Sequence, residues 1–178
     1  GWVRAGEGNA AVDQGARKDV RVTGCGTRED QEPTWARTMG LSRERTRNSG
    51  RENARMHAGE PLQKYAGTAI EGKTLGVVGL GRLGTKVARL GQAFGMNVIA
   101  WSPNLTAERC QEVGVGHASK AELFTAADIV TVHVILSQRS RGLVGREDLA
   151  RVKPTAYLVN TARGPIVAES ALLETLRH

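Results

Sequence analysis

Apolar positions are sparse and unpatterned in the first third of the chain and dense and periodic in the rest. Val, Ile, Leu, Met, Phe, Trp and Tyr number 10 in residues 1–64 and 37 in residues 65–178, so the core belongs to the second part. Residues 1–34 offer one short strand candidate, Asp19 to Thr23, set in Gly-rich and charged sequence. Between Trp35 and His57 helix formers dominate, yet only Trp35 and Met39 pair at i, i+4, and a helix there has little to bury. From Gly72 onward, short apolar runs alternate with amphipathic stretches, the signature of a parallel sheet covered on both faces. The runs predict strands at Thr74–Leu80, Asn97–Trp101, Ile129–Val134 and Ala156–Asn160, with a weaker one near Val113–His117. Leu83, Val87, Leu90 and Phe94 recur at spacings of four, three and four, which predicts a helix over Arg82–Phe94. Thr106 can cap the next helix, and Ser119 with Glu122 forms a capping box ahead of Leu123 and Phe124. Arg146–Val152 reads as a short helix, and Ala168–His178 begins a last one.

The chain has 178 residues, enough for one full domain and a piece of another. No apolar run approaches the roughly 18 residues of a spanning helix, and the first 30 residues lack a hydrophobic signal core, which predicts a cytoplasmic protein with no membrane partner. Cys25 and Cys110 stand alone, so neither a disulfide framework nor a metal site is implied. The formal net charge is +7. More than half of that excess lies in residues 37–55, where Arg37, Arg43, Arg45, Arg47, Arg51 and Arg55 face only Glu44 and Glu52. The stretch has no interleaved aromatics for base stacking, so it reads as a solvated segment rather than a nucleic-acid surface.

Gly79-Leu80-Gly81-Arg82-Leu83-Gly84 is a G-x-G-x-x-G directly after a buried-looking strand and at the start of an amphipathic helix. In that setting Gly79 permits the tight turn, Gly81 leaves room for a pyrophosphate, and Gly84 lets the helix pack close to the strand. The helix start offers N–H groups and partial positive charge to phosphates. The plainer alternative is a Gly-rich turn with no ligand. The fold expected is α/β, a doubly wound parallel sheet of the Rossmann dinucleotide-binding type. Such a sheet usually places an acid at the end of its second strand to bind the adenine ribose, and here Ser102 stands there. A serine can hydrogen-bond a ribose hydroxyl without repelling a 2′-phosphate, which removes the usual argument for NAD over NADP; NAD is the cofactor expected, with NADP left open.

The residues from about Gly72 to His178 resemble the D-isomer-specific 2-hydroxyacid dehydrogenases. The likeness runs through Gly72-Lys73-Thr74-Leu75-Gly76-Val77-Val78-Gly79-Leu80-Gly81-Arg82-Leu83-Gly84, then Ala127-Asp128-Ile129-Val130-Thr131-Val132-His133, then Asn160-Thr161-Ala162-Arg163-Gly164-Pro165. The last segment is the most specific. The resemblance implies that Arg163 binds the substrate carboxylate and carbonyl beside the nicotinamide. It implies further cofactor contacts from Arg82, Leu83, Thr161 and Ala162, and from the backbone of Val134. It also implies a small 2-hydroxy or 2-oxo acid substrate and a homodimer. From the residues alone, Asn160 ends a strand, which puts Thr161–Gly164 at the ligand-binding edge of the sheet, where an arginine's planar fork suits a carboxylate. His133, at a hydrophobic strand end, reads as a packed, hydrogen-bonded histidine rather than an acid or base.

Several positions depart from the family pattern. Ile135 replaces a usual proline, Ala168 stands where the family has a helix-capping Asp, and the Arg-rich 39–51 replaces an aliphatic dimer-forming helix. The family's catalytic Glu and His come farther along than the 15 residues that follow Arg163. The reading is therefore a dinucleotide-binding domain over residues 65–178, incomplete at its C-terminus, preceded in residues 1–64 by a poorly structured remnant of a substrate domain, with Thr23–Trp35 and Asn53–Leu62 resembling the crossover between the two. The parent activity is hydride transfer between a nicotinamide cofactor and a 2-hydroxy or 2-oxo acid, this chain being inactive alone. The alternative is a non-catalytic dinucleotide-binding module or truncated product acting as a redox-sensing partner.

Overall fold

The computed structural model describes residues 21–24, 54–59 and 68–177. Six strands form one all-parallel sheet: β1 (Arg21–Gly24), β2 (Thr74–Val78), β3 (Asn97–Trp101), β4 (Gly116–His117), β5 (Ile129–Val132) and β6 (Tyr157–Asn160). Between and after them lie α1 (Arg82–Ala93), α2 (Ala107–Val113), α3 (Lys120–Ala126), α4 (Arg146–Arg151) and α5 (Glu169–Arg177). The strand order is β1-β6-β5-β2-β3-β4. The connection from β2 leads to β3 on one side, and that from β5 leads to β6 on the other. The doubly wound α/β architecture expected from the alternation is the one found.

The strand residues alternate between two apolar layers, as the period of two in a pleated strand dictates. Leu75, Val77, Val98, Ala100, Ile129 and Val159 pack with Val87 and Ala88 of α1 and Cys110 and Val113 of α2. Val78, Val130, Val132 and Leu158 face the other way, against Leu123 and Phe124 of α3, Leu149 of α4 and Ala171 of α5. Burial on both faces explains why these strands read as continuous apolar runs. Below the sheet, Asp128 joins three strands: its carboxylate accepts from the Thr74 N–H at 2.8 Å and from Lys153 Nζ at 2.9 Å, while its carbonyl accepts from Tyr157 N at 3.0 Å. Lys120 ties the helices together, with Nζ 2.7 Å from the Asp148 carboxylate, 2.6 Å from the Leu143 carbonyl and 5.4 Å from the centre of the Trp101 ring.

Local signals set most boundaries. The Thr106 hydroxyl accepts from Arg109 N, and the Ser119–Glu122 capping box is complete. The expected strand Thr74–Leu80 ends at Val78 because Gly79 adopts φ +100° and turns the chain off the sheet. Val113 closes α2 instead of opening a strand, since Gly114 takes a left-handed C-cap at φ 76° and leaves only Gly116–His117 to pair. The last helix begins at Glu169, one residue later than expected, and the Ala168 carbonyl accepts Leu172 N at 3.0 Å. The strand candidate at Asp19–Thr23 appears as β1 on Arg21–Gly24, paired with β6. Thus the sheet takes its edge strand from ahead of residue 65. Of the remaining sequence before residue 65, residues 54–57 form one helical turn, and the rest, including most of the Arg-rich stretch, lies outside the described residues apart from Ala58 and Gly59.

Candidate functional site

Strand register brings the expected site residues to one edge. Trp101 is level with Val78, Val78 with Val132, and Val132 with Asn160. The next residue along each strand is therefore Ser102, Gly79, His133 or Thr161, and these four form a row across the C-terminal edge. At about 4.8 Å per strand the row spans about 14 Å, the scale of an extended dinucleotide. Its middle is the crevice between β2 and β5, where the connections diverge, which is the place open α/β sheets bind ligands.

The glycines at this crevice have distinct tasks. Gly79 N–H donates to the Trp101 carbonyl at 2.8 Å, and His133 N–H donates to the Val78 carbonyl at 2.8 Å, so three strand ends converge on the turn. A Cβ at Gly79 would come within 3.0 Å of the His133 carbonyl carbon and of Val134 Cγ2, which places Val134 as a wall beside the turn. A Cβ at Gly84 would run into the Gly79 carbonyl oxygen. At Gly81, by contrast, an added Cβ has nothing within 4 Å. Gly81 is the N-cap of α1, supplies no side-chain acceptor, and is followed by no acidic residue in the first turn. The helix's first N–H groups have no partner within the helix, and Arg82 and Leu83 among them are exposed. The positive dipole end, N–H groups without an intrahelical partner and the absent side chain at Gly81 suit this turn to an anion.

At the β6 end, Asn160 is 6% exposed and its amide is used at both ends: Oδ1 accepts the Ala162 N–H at 3.1 Å, and Nδ2 donates to the Arg163 carbonyl at 2.9 Å. Thr161 is buried, Ala162 half-buried, and Arg163 exposed, its Nη1 donating to the Ala162 carbonyl at 2.8 Å. Asn160 therefore shapes the turn that presents Arg163. This role is not evident from the strand-ending position of Asn160 alone, although an Asn whose side chain bonds the backbone two residues on is a known turn former. Ser102 is half-buried directly after β3, and its carbonyl accepts Leu105 N at 3.1 Å.

His133 packs as expected. Its Nε2 lies 2.9 Å from the hydroxyl of buried Thr131, and burial lowers its pKa from 6.5 to about 4. The ring is neutral at pH 7. Because the unfolded chain takes up this proton near pH 6.5 and the folded one only near pH 4, the stability it contributes is complete above pH 6.5 and drains away as pH falls through that window. The loss from pH 7 to pH 4.5 is expected to be about 2 kcal/mol. Urea unfolding at both pH values should show a smaller drop in His133→Gln than in wild type. An equal drop in both would mean that His133 titrates normally.

A family model described as the D-isomer specific 2-hydroxyacid dehydrogenase NAD binding domain matches residues 39–178. The chain belongs to this family. The dehydrogenase match begins ahead of the sheet's central strands and takes in most of the Arg-rich stretch. D-3-phosphoglycerate dehydrogenase of Bacillus subtilis is 45% identical over 114 residues, covering 64% of this chain and 22% of that protein. Glyoxylate reductase of Aeropyrum pernix is 35% identical over 177 residues, covering 96% of this chain and 53% of that protein. Among solved structures, a phosphoglycerate oxidoreductase from Vibrio cholerae superposes with a TM-score of 0.76 at 31% identity, covering 81% of this chain and 47% of the other. The chain thus spans about half or less of these relatives' lengths, and its residues 39–178 match the NAD-binding domain of the dehydrogenase family.

Proposed function

We propose that this chain is the cofactor-holding part of an NAD-dependent dehydrogenase acting on a small 2-hydroxy or 2-oxo acid. Residues 65–178 are the dinucleotide domain, joined by the edge strand Arg21–Gly24, and the rest of residues 1–64 comes from the substrate side. The observation that carries the reading is the open anion cradle at Gly81, set at the crevice between β2 and β5. Gly79, Gly81, Arg82, Leu83 and Gly84 hold the pyrophosphate, Ser102 meets the adenine ribose, and Val134, Thr161 and Ala162 line the rest of the row.

When bound, NAD supplies a hydride donor or acceptor at nicotinamide C4. Arg163 then orients the acid: its guanidinium pairs with the carboxylate and polarises the C2 carbonyl. In the reduction direction C2 gains the hydride and the carbonyl oxygen becomes an alkoxide that must take a proton. Neutral, half-buried His133 holds none to give at pH 7. The described edge therefore binds and orients without completing the reaction.

Titration calorimetry of glyoxylate, pyruvate or hydroxypyruvate into the NADH-loaded chain tests the role of Arg163. Binding weakened about tenfold or more by Arg163→Ala, with no NADH oxidation, is the expected result. Equal binding by the variant would move the substrate site elsewhere, and turnover that depends on Arg163 would mean that another group, His133 first, delivers the proton.

A further inference from the structure

The loop that follows β5 is held by the hydroxyl of Ser140. Ser140 is 5% exposed. Its Oγ donates to the Ile135 carbonyl at 2.7 Å and accepts the Ser137 N–H at 2.7 Å, with the Ser137 hydroxyl 3.1 Å away. A serine hydroxyl carries a single hydrogen. The short contact to Ile135 takes it in preference to the 3.3 Å contact with the Ser137 carbonyl. Residues 135–140 are thereby closed into a ring around a buried oxygen.

Each end of the ring reaches a part of the site. Ile135 follows Val134, the wall beside Gly79, and its own side chain is 87% exposed, so packing of that side chain does little to hold the segment. On the other side, Gly142 N–H donates to the Pro165 carbonyl at 2.8 Å, Val144 N–H to the Ile166 carbonyl at 3.0 Å, and Ala168 N–H to the Val144 carbonyl at 2.9 Å. These bonds fasten the loop to the turn that follows Arg163.

We propose that Ser140 is a positioning residue for the cofactor groove. Its hydroxyl fixes the Val134–Ile135 wall and couples it to the Arg163 turn, an inference that rests on the reading of Gly79–Gly84 as the NAD cradle. Without the hydroxyl the Ile135 carbonyl and the Ser137 N–H lose their shared partner, and the wall is free to shift away from the groove. NAD titration of the full 178-residue chain tests this, with thermal unfolding followed in parallel. Ser140→Ala is expected to weaken NAD about tenfold, as the loss of one hydrogen-bonding group allows. Ser140→Cys, which keeps the volume and gives up the strong donor, should follow it. Ser140→Thr, which keeps the hydroxyl, should bind as wild type does, and so should Ser137→Ala, which leaves the bond to Ile135 intact. Wild-type affinity in both Ser140→Ala and Ser140→Cys would overturn the proposal, as would equal weakening in Ser140→Thr. Absence of NAD binding by wild type itself would overturn the cradle reading and this inference with it.

Discussion

Gly84→Val is expected to remove a large part of the domain's stability. The position is buried, and even the Cβ of the new side chain would collide with the Gly79 carbonyl oxygen, with Gly79 C at 3.0 Å and Val77 Cγ1 at 3.3 Å behind it. Backbone cannot rotate out of the way as a side-chain end can, so α1 would have to lift from β2. That movement would pull Val87 and Ala88, both 0% exposed, off Leu75 and Val77. Overpacking together with the lost burial should cost about 3–5 kcal/mol, against a total of about 5–15 kcal/mol for a domain. Urea unfolding followed by circular dichroism checks it. A midpoint within error of wild type would show that the contact between helix and strand is soft.

How far the sequence disclosed this fold depended on how local the cause was. Asn97–Trp101 was legible to the residue because its apolar run is bounded by Gly95 before and Pro103 after. The Ser119 capping box was legible because its two partners are three residues apart. Strand ends governed by backbone angle were not: Leu80 continues the apolar pattern of β2, yet Gly79 has already turned at φ +100°. Val113 fits a strand as well as the last turn of a helix, and only the left-handed Gly114 decides for the helix. Among the candidate site residues, the glycines of the turn are marked by their spacing, and Arg163 chiefly by the family likeness. The amide of Asn160 and the hydroxyl of Ser140 act on carbonyls and N–H groups whose placement depends on the path of a loop. Their tasks needed the folded backbone.

Gly81→Val separates the ligand from the fold, which Gly84→Val cannot do. An added Cβ at residue 81 meets no atom within 4 Å, and the backbone there, at φ −79° and ψ −162°, is extended and open to any residue. The substitution gives up a favourable N-cap residue, at a cost of about 0.5–1 kcal/mol. The domain therefore stays folded. What changes is the space over the first turn of α1, where a valine side chain would fill the cradle and keep a pyrophosphate from reaching the free N–H groups. Those charge-assisted bonds cannot be made at a longer distance, so affinity should fall by about 100-fold or more.

Calorimetric titration of NAD into the wild-type chain and into Gly81→Val, both shown by circular dichroism to be folded, therefore measures the central claim with the least interference from stability. Saturable binding by wild type and no detectable heat from the variant over the same concentration range is the result that a pyrophosphate cradle at Gly79–Gly84 requires. Equal affinity in the two proteins would contradict it and would place the dinucleotide away from the crevice between β2 and β5.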